Sequence, residues 1–116
     1  YILTYDNKLY SFGLNNFGCL GIKEQTLKRV KQTIINSDIE NNIIQINSGT
    51  KHVSFLTSTK ELYLFGWNLY GQCGIKNCYI QSIPTPTKLI FDKNILNIKC
   101  GGQHNIIECN NNEFYS

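Results

Sequence analysis

The chain is 116 residues long, 41% hydrophobic and 16% charged, a composition that can bury a core and that excludes a disordered segment. Its net charge of +3 is too slight for the many phosphate contacts of strong nucleic-acid binding, no stretch approaches the roughly 20 apolar residues of a membrane helix, and residues 1–20 lack the basic start and apolar centre of a signal peptide. Five cysteines cannot all pair, no Cys-x-x-Cys occurs and no Asn-x-Ser/Thr acceptor is present, so the expected setting is a reducing one, intracellular and either cytoplasmic or nuclear.

Tyr1 to Tyr5 and Leu9 to Phe12 read as two short strands joined through Asp6-Asn7, a turn pair that tolerates the left-handed backbone of a tight hairpin. The decapeptide Phe12 to Gly21, FGLNNFGCLG, follows. Its glycines Gly13, Gly18 and Gly21 suit positive φ or close backbone approach, Asn15 is suited to hydrogen-bond nearby backbone in place of a ladder partner, and Phe17 is expected to cover the turn. Next comes LKRVKQTII, residues 27–35, whose pattern fits either a helical turn or an edge strand. Ile43 to Ile46 reads as a strand, and SGTKH at Ser48 to His52 leads into the strand His52 to Thr57. After a turn at Ser58-Thr59-Lys60, the strand Leu62 to Phe65 runs into a second decapeptide, Phe65 to Gly74, FGWNLYGQCG, with Gly66, Asn68, Tyr70, Gly71 and Gly74 in the places of the first. Pro84 and Pro86 sit ahead of Lys88 to Phe91, an expected edge segment entered from a loop. Ile95 to Ile98 reads as a strand, CGGQH at Cys100 to His104 repeats the earlier marker, and Ile106 to Cys109 leads through Asn110 to Asn112 into Phe114 to Ser116.

Gly13 and Gly66, Asn15 and Asn68, Gly18 and Gly71, and Gly21 and Gly74 are each 53 positions apart (66 − 13 = 53), while Gly49 and Gly101, like His52 and His104, are 52 apart (101 − 49 = 52). A period near 50 residues signals a repeat architecture. With about four short strands per period and no long amphipathic helix, each repeat reads as one four-stranded blade. The chain then divides into repeat 1 at 1–53, repeat 2 at 54–105 and the start of a truncated repeat 3 at 106–116.

The pattern aromatic-Gly-x-Asn-x-aromatic-Gly-x-x-Gly, followed at a distance by Gly-x-x-His and an apolar strand, resembles the repeat of the regulator of chromosome condensation family over essentially the whole chain. The resemblance implies an all-β fold, a β-propeller fragment of about two four-stranded blades from a ring that normally has seven, the rest of the ring being supplied in cis. Members of that family include exchange factors for the small GTPase Ran and propellers joined to ubiquitin ligase or kinase domains. Departures are Phe12 and Phe65, where the family usually has Trp, and Cys73, where it has Leu. Two repeats are fewer than the roughly three that a stacked array needs, and the sequence holds no methionine, so the expectation is a piece of a larger protein.

The loops Gly13-x4-Gly18 and Gly66-x4-Gly71 imitate the start of a phosphate-binding loop, but Cys19-Leu20 and Gln72-Cys73 follow where the Lys-Ser/Thr pair should stand, so no nucleotide or other cofactor is expected there. The cysteines do not make a metal site: Cys19 lies opposite Gln72, Cys73 opposite Leu20, Cys100 opposite Ser48 and Cys109 opposite Thr57, the exchanges of small packing positions, and Cys78 has no counterpart. His52 and His104 recur once per repeat, which suits a hydrogen bond that fixes a loop better than catalysis. Cys109 with His104 is the formal candidate for a nucleophilic pair. Where the repeats differ most, Lys28, Arg29 and Lys31 form the one basic cluster and the expected partner-contact patch, against the plainer reading of a solvated face. The expected function is that of a protein-protein interaction module, not an enzyme, with Gly13, Asn15, Gly18, Gly21, Gly49, His52, Gly66, Asn68, Gly71, Gly74, Gly101 and His104 as its structural signature. The alternatives are guanine nucleotide exchange on a Ran-like GTPase and, least favoured by charge, chromatin or DNA binding.

Overall fold

A computed structural model describes residues 1–23, 29–35, 39–75 and 80–116. Among them the chain is all-β, and its strands form three antiparallel sheets. The first has the order β1-β2-β3, from β1 (Ile2–Leu3), β2 (Leu9–Leu14) and β3 (Arg29–Ile34). The second, β4-β5-β6-β7, is built from β4 (Ile43–Ser48), β5 (His52–Thr57), β6 (Leu62–Trp67) and β7 (Ser82–Lys88). The third comprises β8 (Ile95–Cys100), β9 (Asn105–Cys109) and β10 (Phe114–Tyr115). The segment 27–35, open between helix and strand on sequence, is a strand over its described part, paired to β2.

The sheets are cut one strand out of phase with the sequence repeat. β4 belongs to the 1–53 period yet pairs with β5, which opens the next one. The turn from Gly49 to His52 is short enough to fold β4 straight back onto β5, with Gly49 N–H donating to His52 O at 2.9 Å, and this local closure sets where each sheet begins. A second departure concerns Pro84 and Pro86, which lie within β7 rather than ahead of it. β7 is the outer strand, and its pairing with β6 slips between Leu64 and Gly66, opposite the prolines. A residue without an N–H is tolerated where the ladder has no partner to offer.

Three hairpins share one geometry despite unlike sequences. Thr4, Thr57 and Cys109 donate their N–H groups to Lys8, Glu61 and Glu113 at 3.0, 3.0 and 2.9 Å. Each turn carries a residue at positive φ, Asn7 at 59°, Lys60 at 65°, Asn111 at 67° and Asn112 at 59°. The second feature in common is a bulge. β2 slips against β3 between Ser11 and Gly13, as β6 slips against β7, and the bulge glycines Gly13 and Gly66 have φ of 120° and 106°. An extra residue in one strand sharpens the twist and turns the chain out of the sheet into the decapeptide loop.

The apolar alternation of β2, β5, β6 and β8 sends Leu9, Val53, Phe55, Leu56, Leu62, Leu64, Phe65 and Ile98 into one core. β5 is buried along its whole length. Phe65 is central: its ring meets Tyr1 edge-on at 6.0 Å and Phe55 at 6.4 Å, and it covers Gly21, where an added Cβ would lie 3.0 Å from the ring.

The two bulge glycines are not equivalent in space. A Cβ at Gly13 would meet nothing within 4 Å, whereas one at Gly66 would lie 2.5 Å from Lys51 O and 2.8 Å from His52 Cα. Gly13→Ala is therefore expected to cost only the backbone strain, about 1–2 kcal/mol, and Gly66→Ala a further 1–3 kcal/mol or so of overpacking. Urea unfolding of the two variants checks this, and equal losses would contradict it.

Candidate functional site

The bulges deliver both decapeptides to the same kind of loop. In the first, Gly18 N–H donates to Asn15 O at 3.2 Å and Gly21 N–H to Gly18 O at 3.1 Å; in the second, Gly71 N–H donates to Asn68 O at 3.0 Å and Gly74 N–H to Gly71 O at 2.8 Å. Two successive turns are thus closed by backbone, and a buried asparagine locks each pair. Asn15 Oδ1 accepts from Leu20 N–H and Asn68 Oδ1 from Cys73 N–H, both at 2.9 Å. Asn68 also donates through Nδ2 to Ile80 O at 3.1 Å, tying the loop to the chain that enters β7. Gly18 is pressed against β7, where a Cβ would lie 2.9 Å from Pro84 Cα. Its counterpart Gly71 has nothing within 4 Å, and Gly71 and Gly74 line an open groove of about 480 Å³ with Leu64, Leu89 and Tyr115.

The Gly-x-x-His markers form the neighbouring turns. Gly101 N–H donates to His104 O at 2.8 Å, matching Gly49 and His52, and the two turns are joined to each other by Thr50 N–H donating to Gly102 O at 3.1 Å. The histidines then diverge. His104 is exposed, whereas His52 is 1% exposed and its Nε2 lies 3.0 Å from Asn105 Oδ1 on β9. Asn105 in turn donates through Nδ2 to Gln72 O in the second decapeptide loop. That orientation of the amide makes His52 Nε2 the donor, with Nδ1 unpartnered among the described residues. Further along the same seam Ser54 Oγ lies 3.1 Å from Cys100 Sγ, and Gln45 and Asn47 of β4 donate to Ile98 O of β8 at 2.8 and 2.9 Å. A row of polar side chains therefore bridges sheets 2 and 3.

On this loop surface lies a group that sequence reasoning did not single out. Lys51 Nζ sits 4.1 Å from the centroid of the Phe17 ring and 4.8 Å from that of Trp67, with Phe17 and Trp67 6.0 Å apart and Tyr70 edge-on to Trp67 at 5.2 Å. Phe17 thus packs against Lys51 of the turn between β4 and β5 and against Trp67 of the second repeat. The available signal was the difference between copies, since Lys51 stands opposite Gln103 and Trp67 opposite Leu14.

Arg29 and Lys31 belong to β3, an outer strand of sheet 1, and Lys28 lies outside the described residues, as does Cys78. Cys109 and His104 do not meet: His104 precedes β9 and Cys109 ends it, a strand length of about 17 Å. The four described cysteines are free. Burial raises each thiol, Cys73 to about 12, which suppresses the nucleophilic thiolate. Among the described residues no three His, Cys, Asp or Glu side chains gather as a metal site, and no helix is long and apolar enough to cross a membrane.

Burial holds the His52 pKa below its ordinary value, the Asn105 bond opposes that shift, and the nearby His104 adds to it. The unfolded chain therefore takes up this proton first as the pH falls, so the contribution of His52 to stability is complete above about pH 6.5 and declines below it. The midpoint of urea unfolding is expected to drop between pH 7.5 and pH 5 more steeply in the native chain than in His52→Gln, which keeps a hydrogen-bond donor without the titration. Parallel pH profiles would contradict this.

The family model for the regulator of chromosome condensation (RCC1) repeat matches residues 6–56 and 61–107. The ultraviolet-B receptor UVR8 of Arabidopsis thaliana is 28% identical over 117 residues, which cover 98% of this chain and 26% of that protein. The serine/threonine-protein kinase Nek9 of Mus musculus is 31% identical over 104 residues, 85% of this chain and 10% of that protein. Among solved structures, Prp20p of Saccharomyces cerevisiae, whose study also describes its binding properties to Gsp1p and histones, superposes with a TM-score of 0.87 at 26% identity, covering 97% of this chain and 29% of that one. The chain thus spans less than a third of the length of these relatives.

Proposed function

Because the chain belongs to the regulator of chromosome condensation (RCC1) repeat family, we propose that it serves as a rigid docking platform for a protein partner, as part of a propeller ring, with no catalysis assigned to its own residues. The observation that carries this reading is where buried hydrogen bonds are spent. Asn15, Asn68, His52 and Asn105 are at most 9% exposed, and the hydrogen bonds of all four bear on the decapeptide loops and the Gly-x-x-His turns. A surface fixed in this way meets a partner without a large ordering cost. The repeats 1–53 and 54–105 and the start of a third at 106–116 are the units we assign to it, with the twelve glycines, asparagines and histidines of the two markers as scaffold. The free thiols support an intracellular setting, nuclear or cytoplasmic.

The second reading is guanine nucleotide exchange on a Ran-like GTPase, favoured by the likeness to Prp20p and by its described binding to Gsp1p. A nucleotide-release assay with Ran separates the two: the platform reading expects release at the intrinsic rate with the chain in excess, and acceleration would favour exchange. Cross-linking of the full chain in cell extract then locates the partner surface. Cross-links are expected on the decapeptide loops and marker turns, and cross-links confined to the strand edges would overturn the reading.

A further inference from the structure

We infer that Lys51 and the rings around it form a docking point for an acidic segment of the partner protein, an inference that rests on the platform reading and names the partner's chemistry. The group exists only where two repeats meet. Phe17 comes from the first decapeptide, Trp67 and Tyr70 from the second, and Lys51 from the turn between β4 and β5. The lysine backbone is held at its carbonyl, because Trp67 N–H donates to Lys51 O at 2.8 Å and Gly66 packs directly against the same group. Two ring faces then restrict the side chain, so the ammonium is presented in a defined place before any partner arrives.

Ring faces attract a cation but give its three N–H donors no strong acceptor. The ion pairs among the described residues join Lys8 to Asp6, Lys88 to Glu61 and Lys93 to Glu113, and none of them reaches Lys51. A half-buried lysine with no carboxylate partner among the described residues is complementary to one supplied from outside. Tyr70, 66% exposed and edge-on to Trp67, adds an apolar margin beside it, which fits Asp or Glu flanked by a hydrophobic side chain. Nucleic acid fits less well. The corresponding position of the next repeat is Gln103, so the charge is single and not repeated along the face, where phosphate binding draws on many cations.

Trp67 is the only tryptophan in the chain and reports directly on the site. The full chain is titrated, following its fluorescence, with a Glu-Leu repeat peptide, with the same peptide carrying Gln for Glu, and with a short DNA duplex. Saturable binding of the acidic peptide is expected, weakened about tenfold or more by Gln in the peptide or by Lys51→Gln. Lys51→Arg should stay within about threefold, because Arg keeps the charge and stacks on rings. Circular dichroism and the melting midpoint of each variant establish that the fold is retained. The inference is overturned if no peptide binds, if Lys51→Gln or the Gln peptide binds as tightly as its charged counterpart, or if DNA binds more tightly with a steep loss in salt. Loop cross-links that persist in Lys51→Gln would remove the acidic docking point and leave the platform standing, whereas loss of all loop cross-links in the native chain would remove the platform itself.

Discussion

Apolar faces packed against each other attract without direction, so sheets held by burial alone are free to slide and rotate. The row of buried and half-buried amides, a hydroxyl and an imidazole between sheets 2 and 3 takes that freedom away. Gln45 and Asn47 reach Ile98 O, Thr50 reaches Gly102 O, and His52 reaches Asn105, which passes the constraint on to Gln72. Each contact is short-range and directional, and leaving the buried His52–Asn105 pair unmade costs about 1–3 kcal/mol. Apolar burial drives the stacking, and the polar seam selects one relative placement of the sheets. The loop surface inherits its shape from that placement.

The strand pattern was legible because each hairpin obeys local rules. Leu9 and Leu62 occupy the same inward place, Asn7 and Lys60 the same left-handed turn, and Gly13 and Gly66 the same bulge, so a single period exposed all of them. What was not legible depended on the partner strand. Pro84 and Pro86 look like a loop to a reader who sees one strand at a time, and become acceptable inside β7 only because β6 is bulged opposite them. The one-strand offset between sheet and period was hidden for a similar reason, since repetition fixes the length of the unit and says nothing of where the ladder is cut.

The functional surface was legible in outline. Asn15 and Asn68 do bond nearby backbone, and the two Gly-x-x-His markers do form matching turns. The roles of the two histidines could not be told apart, because burial of His52 requires a following sheet that brings up Asn105, and His104 stands exposed. Lys51 was hidden more deeply. It occupies an unconstrained letter of its marker, and its contact with Phe17 arises only when two sheets are stacked. Arg29 and Lys31 stand together in sequence as a local charge cluster, whereas one cation among aromatic rings has no local signature.

The offset of β4 has a further consequence for how such chains grow. Since sheets 2 and 3 each take their first strand from the preceding period, as β5 takes β4 and β9 takes β8, consecutive copies are interlocked like links in a chain. Gene duplication in whole periods leaves every ladder matched wherever the cut falls within the unit. Loss of a fraction of a period strands one ladder edge. Selection on pairing alone therefore favours lengthening and shortening by entire copies, and leaves the exposed letters between the fixed glycines free to diversify.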